Sequence, residues 1–384
     1  MILKTLRLLN FRAHQETTVD FAPGVNLLYG SNGAGKTNIL EAIHYLCLSK
    51  SFLVSNDGYV LRKGRPFFEA EGVFEGNHRT TLKARLVYVP EEGKRLFING
   101  APLERLSQIV GVLPIVVFSP DDYVLTAGGP EERRRLLDNV LSQSRPLYLD
   151  DLLKYRRALR QRNELLGQSR RTRRAPPSGL LASWDEELVQ LGSRVITSRL
   201  RFITEFSGFL EAAYVHMEAV SEKPTIAYTT IGRLDADADQ EQVVERYRAQ
   251  LVRAEEQERA LGRTLVGPHR DELIFRLNGL EVRRYASQGQ HRTFGMALKL
   301  AQYLYLHDRL DEKPILLLDD VFDNLDLQRA RLFVNLLSTD LIGQSVLTAA
   351  RRDLFADLLP FDEPTHRITK VENGRVERAK GIVE

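Results

Sequence analysis

The sequence predicts an α/β fold with mixed sheets and an inserted helical lobe, and three stretches carry that prediction. A glycine-rich loop at residues 30–37 stands between an apolar run and a helical pattern, which indicates a strand, a loop and a helix in succession. From Pro130 the chain is helical and rich in arginine for about 130 residues. A late apolar run, residues 315–318, ends in two aspartates and indicates a buried parallel strand.

The composition is that of an ordinary soluble protein. Of 384 residues, 43% are hydrophobic and 27% are charged, so the chain can bury a sizeable core. The net charge of +3 does not by itself indicate a nucleic-acid-binding protein, so such a function must rest on where the charges lie. The single cysteine, Cys47, excludes an internal disulfide and favours core packing in a cytoplasmic protein. Because no apolar run approaches about 18 residues, no membrane span is predicted.

The first 119 residues are predicted to be mainly strands around the helix that follows the glycine-rich loop. The β-rich runs are residues 2–8, 17–21, 67–74, 80–89, 95–98 and 112–118. Asn99-Gly100 is a hairpin-turn signal, and residues 119–122 break the pattern before the helical region. Within that region residues 171–179 predict an exposed loop. Strands are predicted again at 272–277 and 281–285, joined by Asn278-Gly279.

The glycine-rich loop satisfies the pattern G-x-x-x-x-G-K-[ST] in full and predicts a phosphate-binding loop. Its residues are Gly30, Ser31, Asn32, Gly33, Ala34, Gly35, Lys36 and Thr37. Glycines let backbone N–H groups approach phosphate oxygens, and the following helix N-terminus adds a positive dipole end. Lys36 is expected to hold the β- and γ-phosphates, and Thr37 to bind Mg²⁺ through its hydroxyl. A glycine-rich turn with an incidental lysine and threonine is the alternative.

The run at residues 315–318 is typical of a Walker B strand, because a buried parallel strand delivers acids to the carboxyl edge of a sheet. Asp319 is expected to hold the Mg²⁺ shell, and Asp320 to orient or deprotonate the attacking water. A strand followed by a helix-capping aspartate is the alternative.

A second anion site is predicted at the stretch Ser287, Gln288, Gly289 and Gln290. It precedes a helical apolar pattern, so Ser287 is a predicted N-cap. A serine, a glycine and a helix N-terminus also suit a γ-phosphate. The structural and the functional interpretation can hold together.

Arginines provide the residue-level indication of DNA binding. Eight of them fall within 19 residues: Arg156, Arg157, Arg160, Arg162, Arg170, Arg171, Arg173 and Arg174. Glu164 is the one acid in that window. Arginine pairs with phosphate bidentately, and clustered contacts make binding salt-dependent. A solvated helical face is the alternative. Since the sequence has no recognition-helix, zinc-finger or RNP pattern, backbone binding without sequence readout is expected.

Taken together, these motifs resemble the ABC-type ATPase heads, including those of SMC proteins. They occur in the same order and end in Asn324-Leu325-Asp326. More closely, the chain resembles the RecF family of bacterial recombination mediators. That likeness lies in five stretches: Leu9-Asn10-Phe11-Arg12, Phe118-Ser119-Pro120-Asp121-Asp122, Gly129-Pro130, Arg133-Arg134-Arg135 with Leu137-Asp138, and Gly267-Pro268-His269-Arg270-Asp271.

The resemblance implies an ATP-dependent DNA-binding protein of gap repair that acts with RecR and RecO and helps RecA load onto DNA. Two ATP molecules are expected between two subunits. One subunit supplies residues 30–37, Asp319 and Asp320, and its partner supplies residues 287–290 and Asp326. Arg12 is expected to contact the nucleotide base. DNA partners are expected to be single-stranded, duplex or junction DNA, and the ATPase to be weak, DNA-stimulated and used as a switch.

The resemblance also implies four segments. Residues 1–119 and 300–384 form the two parts of ATPase lobe I, with Walker A in the first and Walker B in the second. Residues 120–263 form an arginine-rich helical lobe II, and residues 264–299 a hairpin and the signature-motif helix. Two departures from the ABC pattern concern water activation. Asp320 stands where transporter ATPases carry glutamate, and Thr348 stands at the switch position, after the last strand, where a histidine is usual.

Other classes of protein explain less of the chain. A small-molecule P-loop kinase accounts for residues 30–37 but not for the signature-like serine or for the late Walker B. A full SMC-type structural protein needs long heptad repeats, which the insert interrupts at Pro176-Pro177. An ATPase-coupled nuclease needs a further metal-carboxylate domain, for which the residues after Asp320 leave little room. A transporter ATPase fits in outline, but nothing indicates a membrane partner.

Overall fold

The computed structural model describes residues 1–77, 81–174, 178–217, 222–232, 234–235, 237–322, 327–352, 359, 361 and 364–378. The chain divides into two compact units. Unit 1 consists mainly of Met1–Asp122 and Met296–Glu384, and unit 2 mainly of Tyr123–Val215 and Ala219–Gly295. The helical region is thus inserted between two parts of one α/β unit. The finer division into four segments stays a prediction.

The strands and helices are numbered along the chain. The strands are β1 (Ile2–Phe11), β2 (His14–Asp20), β3 (Val25–Tyr29), β4 (Phe68–Glu75), β5 (Thr81–Val89), β6 (Gly93–Ile98), β7 (Ala101–Pro102), β8 (Ile115–Phe118), β9 (Pro224–Thr229), β10 (Glu272–Leu277), β11 (Leu280–Glu281), β12 (Ile315–Leu318), β13 (Ser345–Ala349), β14 (Arg367–Glu372) and β15 (Arg375–Arg378). The α-helices are α1 (Lys36–Leu48), α2 (Tyr123–Ala127), α3 (Pro130–Ser144), α4 (Pro146–Thr172), α5 (Ser178–His216), α6 (Gln240–Leu261), α7 (Val282–Tyr285), α8 (Gln288–Leu310) and α9 (Leu327–Leu337).

Unit 1 contains one antiparallel and one mainly parallel sheet. The antiparallel sheet has the order β2-β1-β4-β5-β6-β7, and the other has the order β15-β14-β3-β13-β12-β8. In the second sheet β3, β12 and β13 are almost entirely buried, as parallel strands covered on both faces are. Strand β13 lies between β3 and β12, so the strands that precede the glycine-rich loop and the two aspartates belong to one sheet, as the sequence predicts.

Helix α1 lies in the core of unit 1. Its apolar side chains pack in one cluster with residues of both sheets, among them Phe74 of β4 and Leu317 of β12. Cys47 is fully buried in this cluster, and burial raises the pKa of its thiol, so the prediction of a core cysteine is confirmed. Almost every residue of α1 is buried, so this helix is fixed in the core and anchors the glycine-rich loop that leads into its N-terminus.

Unit 2 is mainly helical, with a small sheet of order β11-β10-β9. Here two predictions are wrong. The strand β9 lies inside the region from Pro130 that the sequence predicts as helical for about 130 residues, and it pairs with β10. Residues 282–285 form helix α7 and not the predicted strand, because β11 ends after Glu281 and leaves them without a strand partner. The turn at Asn278-Gly279 is confirmed, with φ of 51° and 82° at its two residues.

Within the described part of the chain, none of the helices combines the length and the apolarity that crossing a membrane requires.

Candidate nucleotide-binding site

The glycine-rich loop has the geometry of a phosphate cradle. Strand β3 ends at Tyr29 and helix α1 begins at Lys36, so the predicted strand, loop and helix are confirmed. Gly33 and Gly35 have φ of 80° and 107°, in the left-handed region that glycine tolerates. A Cβ at Gly30 would lie 2.1 Å from the carbonyl oxygen of Val371. The loop therefore needs glycine at these positions, and its close curl is built into the backbone.

Lys36 is only 4% exposed and its ammonium lies against the loop. Its Nζ donates hydrogen bonds to the carbonyl oxygens of Gly30, at 2.8 Å, and Ser31, at 3.2 Å. The Lys36 ammonium therefore lies beside the loop backbone, where the N–H groups and the N-terminus of α1 also favour an anion.

Thr37 joins the loop to the acidic end of β12. Its Oγ1 donates a hydrogen bond of 2.8 Å to Oδ1 of Asp319, which lies 282 residues away in the sequence. Asp319 is 7% exposed, and burial raises the pKa of its carboxyl; the hydrogen bonds from Thr37 and Thr348 lower that pKa in part. The two oxygen-bearing side chains assigned to Mg²⁺ from the sequence are thus in direct contact.

Thr348 connects both aspartates. Its Oγ1 lies 2.9 Å from Oδ1 of Asp319 and 3.2 Å from Oδ1 of Asp320, and it accepts the backbone N–H of Asp320 at 2.9 Å. A hydroxyl carries one proton, so it donates to one carboxylate at a time. Thr348 lies within β13, between the two motif strands, and not after the last strand as the sequence analysis places it. Asp320 itself has a φ of 44°, a conformation uncommon outside glycine.

The first hairpin and the last hairpin support the loop. The sequence predicts the strands of the first hairpin, but not the contact of either hairpin with the loop. His14 is fully buried; its Nε2 lies 3.1 Å from the Gly35 carbonyl oxygen and its Nδ1 lies 3.0 Å from that of Gly374. Burial lowers the pKa of His14, and a neutral imidazole donates to one of these carbonyls at a time. The N–H of Gly374 donates to the Ala34 carbonyl oxygen at 2.9 Å. The turn pair Asn373-Gly374 was the one sequence signal for this support.

Arg12 is held beside α1. Its guanidinium donates two hydrogen bonds, of 2.7 and 2.8 Å, to the carboxylate of Glu41, which is fully buried. This pairing raises the pKa of Arg12. The hydroxyl of Ser51 also donates to Glu41. The bidentate pair fixes Arg12 near the loop helix, and its contact with a nucleotide base stays a prediction.

The signature-like stretch forms a helix cap in unit 2. The Ser287 hydroxyl accepts the Gln290 backbone N–H at 3.2 Å, and the Gln290 side chain accepts the Ser287 N–H at 2.9 Å. This reciprocal pair is a capping box, so the predicted N-cap is confirmed. Ser287 and Gln288 are exposed. The role of residues 287–290 in binding a γ-phosphate stays a prediction, and Asp326 lies outside the described residues.

The arginine cluster is exposed with one exception. Arg162 is 2% exposed and its guanidinium forms ion pairs of 2.6 Å with Asp185 and with Glu258. A buried, doubly paired arginine is not free to contact phosphate, so the prediction of DNA contact was wrong for Arg162. The other seven arginines are exposed: Arg156, Arg157, Arg160, Arg170, Arg171, Arg173 and Arg174. Of these, Arg156 pairs with Asp138 and Arg171 with Glu164.

A glycine-rich loop between a buried strand and a helix, whose threonine contacts an aspartate from a parallel strand, defines a P-loop ATPase site. With its second sheet and inserted helical unit, the chain has the architecture of an ABC-type ATPase head.

Comparison with known proteins agrees with this class. Residues 2–377 match the family described as RecF/RecN/SMC N terminal domain. The chain is 56% identical over 374 residues to the DNA replication and repair protein RecF of Salinibacter ruber, covering 97% of this chain and 91% of that protein. It is 45% identical over 363 residues to the protein of the same description from Chloroherpeton thalassium, covering 93% and 97%.

Solved structures give the same result. The structure described as the recombination mediator protein RecF-ATPrS in the RecFOR pathway superposes with a TM-score of 0.91 and 30% identity, covering 99% of this chain and 98% of that one. An Smc head from Pyrococcus furiosus, at 14% identity and a TM-score of 0.55, shares the fold alone. The chain belongs to the RecF/RecN/SMC family, and within it to the RecF proteins.

Proposed function

We propose that this chain is an ATP-dependent DNA-binding protein of recombinational gap repair, in which ATP binding and hydrolysis act as a switch. The observation that carries the proposal is the 2.8 Å hydrogen bond between Thr37 and Asp319, because it brings the two halves of an ATPase site together from opposite ends of the chain. A RecF relative solved with a nucleotide is described as a recombination mediator, which supports the biological context.

The residues at the loop fit the triphosphate of ATP. The N–H groups of Gly30 and Ala34 donate to the carbonyl oxygens of Ala349 and Ser31, so the phosphates are left to the other loop N–H groups and the N-terminus of α1. Lys36 neutralises the β- and γ-phosphate charge by leaving its two carbonyl partners. The buried ion pair with Glu41 orients Arg12 toward the base. His14 and Gly374 keep the loop carbonyls turned away from the phosphates.

Thr37 and Asp319 fit Mg²⁺, because both present oxygen ligands at one point. Among the described residues no cluster of three or more His, Cys, Asp or Glu side chains could hold a metal, which suits an ion that takes its other ligands from water and phosphate. When bound, Mg²⁺ neutralises the charge between the β- and γ-phosphates. Asp320, oriented by its backbone hydrogen bond to Thr348, serves to position or deprotonate the attacking water.

The switch is a nucleotide-dependent homodimer. Ser287 at the exposed N-terminus of α8 provides a hydroxyl and a helix dipole for the γ-phosphate held by a second copy. Two such contacts stabilise the dimer only while the γ-phosphate is present. Hydrolysis therefore removes the free energy that favours the dimer over the separate subunits. A slow, DNA-stimulated ATPase then times DNA release.

The seven exposed arginines on and after α4 bind DNA phosphates without reading sequence. Single-stranded DNA, duplex DNA and their junctions all present such phosphates. RecR- and RecO-type mediators are the proposed protein partners, RecA loading is the proposed outcome, and the cytoplasm is the proposed location.

The proposal is tested by DNA-binding anisotropy at two salt concentrations, with and without ATP. ATP is expected to tighten binding in the parent chain and to have no effect in Lys36→Ala. Replacing Arg170, Arg171, Arg173 and Arg174 by glutamine is expected to reduce the slope of log K against log salt by up to about 0.9 per lost contact. Arg253→Gln, an exposed arginine on α6 outside the cluster, is the one-charge control. A DNA affinity that changes neither with ATP nor with salt concentration would contradict the proposal.

A further inference from the structure

Unit 2 contains a cavity of about 250 Å³ that no part of the nucleotide site uses. It is bordered by α3, α4, α5 and the turn at Pro268–Arg270. Its charged lining consists of four arginines and two acids: Arg134, Arg135, Arg156, Arg199, Glu131 and Asp138. The turn belongs to the stretch Gly267-Pro268-His269-Arg270-Asp271, which the sequence analysis singled out and the nucleotide site leaves without a role.

The floor of the cavity is a network of ion pairs and hydrogen bonds around Arg199. Arg199 is 2% exposed and pairs with Asp138 at 2.7 Å and with Asp271 at 2.6 Å. Its Nε also donates to the Tyr148 hydroxyl at 3.0 Å, and Asp271 accepts the hydroxyl of Tyr228. Because the Arg199 guanidinium is held by two carboxylates, this network fixes the shape of the cavity and provides no free positive charge.

The wall of the cavity carries arginines that are weakly held. Arg135 pairs with Glu131 and Glu132, but its side chain is 64% exposed. Arg156 pairs with Asp138 and its side chain is 54% exposed. The pair of Arg135 is exposed and contributes little free energy, so that guanidinium can turn to an incoming anion at small cost. Arg156 bonds the buried Asp138 through Nη2, and its exposed guanidinium can face an anion without giving up that pair.

Arg134 is the lining arginine that forms no direct ion pair in the described part of the chain. It is half-buried, and one Nη1–H donates to the backbone carbonyl oxygen of Asp271 at 2.7 Å. Among the described residues no carboxylate forms an ion pair with it. Burial and the neighbouring Arg199 lower the pKa of Arg134, whereas the nearby carboxylates of Asp271, Glu272 and Glu131 raise it in part; an arginine stays protonated at neutral pH. Arg134 is therefore the lining arginine whose guanidinium is held by a backbone carbonyl and not by an ion pair.

His269 lines the cavity but provides neither a positive charge nor a free ring nitrogen for an anion. Its Nδ1 lies 2.6 Å from the Tyr155 hydroxyl and its Nε2 lies 3.3 Å from the Thr264 carbonyl oxygen, so both ring nitrogens face protein groups. Burial lowers the pKa of His269 to about 4, so the ring is neutral at pH 7. Recognition thus falls to planar guanidinium groups, whose paired N–H donors match phosphate oxygens.

We propose that the cavity lined by Arg134, Arg135 and Arg156 is a binding site for a phosphate group, separate from the phosphate loop. Arg134 is its fixed cation, and Arg135 and Arg156 close on the anion. The favoured source is a DNA strand, because Arg156 also begins the arginine cluster and Arg160 follows it one turn later on α4. The choice of DNA rests on the proposed function, whereas the anion site itself does not.

The site is tested first with inorganic pyrophosphate by isothermal titration calorimetry. All chains carry Lys36→Ala, so that the phosphate loop does not contribute. Arg134→Gln is expected to weaken pyrophosphate binding roughly tenfold or more, and Arg134→Lys to be intermediate, because lysine keeps the charge without the planar fork. Arg253→Gln is expected to have no effect. The emission of the single tryptophan, Trp184, which packs in the same cluster as Tyr155, reports whether unit 2 remains folded.

The source of the phosphate is tested by DNA binding against salt concentration. If it is DNA, Arg134→Gln lowers the slope of log K against log salt by about 0.9 and Arg253→Gln does not. A lost pyrophosphate site with an unchanged DNA slope supports the site and assigns it to a small phosphorylated molecule. If the parent chain does not bind DNA, the proposed function is wrong, and the pyrophosphate titration still shows whether the cavity binds a phosphate group. Arg134→Gln that matches Arg253→Gln in both assays would overturn the proposal.

Discussion

Replacing Thr348 by valine tests the contacts that join the two aspartates. The change keeps the β-branched shape in a fully buried strand but removes the hydroxyl. Asp319 then loses a hydrogen bond of 2.9 Å, and the Asp320 N–H loses its acceptor at 2.9 Å. Hydrogen bonds to charged groups contribute about 1.5–3 kcal/mol, so we expect the free energy of unfolding at pH 7 to fall by that amount.

The loss of stability should depend on pH in a defined sense. The pKa of Asp319 is raised above 3.8, so the native state keeps a proton that the unfolded chain releases, and this contribution to stability declines as pH rises through that interval. Thr348 lowers the pKa of Asp319, so its removal raises the pKa further and extends the interval upward. The variant should therefore differ from the parent most at neutral pH. In acid, where Asp319 is protonated in both chains, the difference that remains is the lost acceptor of the Asp320 N–H.

The assays are urea unfolding followed by circular dichroism and the pH profile of ATP hydrolysis. Because Asp319 must be ionised to hold Mg²⁺, the acid limb of the Thr348→Val profile should move to higher pH. Thr348→Ser keeps the hydroxyl and is the matched control. Equal stability and equal acid limbs in the valine and serine variants would refute the role assigned to this hydroxyl.

Three further substitutions have definite expected results. Lys36→Ala should abolish ATP binding by calorimetry without loss of fold, because a loop lysine contributes little to the core; unchanged affinity in a folded variant would exclude its role. His14→Phe removes the ring nitrogens beside Gly35 and should weaken ATP binding roughly twofold to tenfold, measured at pH 8 against the parent; equal affinities would show that the loop does not need this support. Arg162→Met should leave the slope of DNA affinity against salt unchanged, because its guanidinium is buried in ion pairs; a reduced slope would restore Arg162 as a DNA contact.

The local parts of the site could be predicted from sequence because their signals are contiguous. The glycine-rich loop, its flanking strand and helix, the hairpin turns and the Ser287 cap each depend on residues within a few positions of one another. The paired aspartates could be assigned once a full phosphate loop was recognised. Strand β12, which precedes these aspartates, and strand β3, which precedes the loop, belong to one sheet, in which β13 lies between them.

The parts that sequence analysis missed depend on distant partners. In sequence Arg162 resembles its neighbours in the arginine cluster. The glutamate that pairs with it in the interior, Glu258, lies on another helix, so no local pattern distinguishes Arg162. Strand β9 is short and its partner β10 begins more than forty residues later, so no local pattern identified it. His14 and Gly374 meet only because the first and last hairpins flank the same loop.

The central claim, that nucleotide binding joins two copies through Ser287, is tested most directly by sedimentation equilibrium with ATP and Mg²⁺. Asp320→Asn keeps the shape of the acid and its backbone hydrogen bond but removes the base, so this chain should bind ATP and remain a dimer. Ser287→Arg introduces bulk and charge at the exposed start of α8, so this chain should bind ATP and remain a monomer. An Asp320→Asn chain that stays monomeric, or a Ser287→Arg chain that dimerises like the parent, would contradict the account.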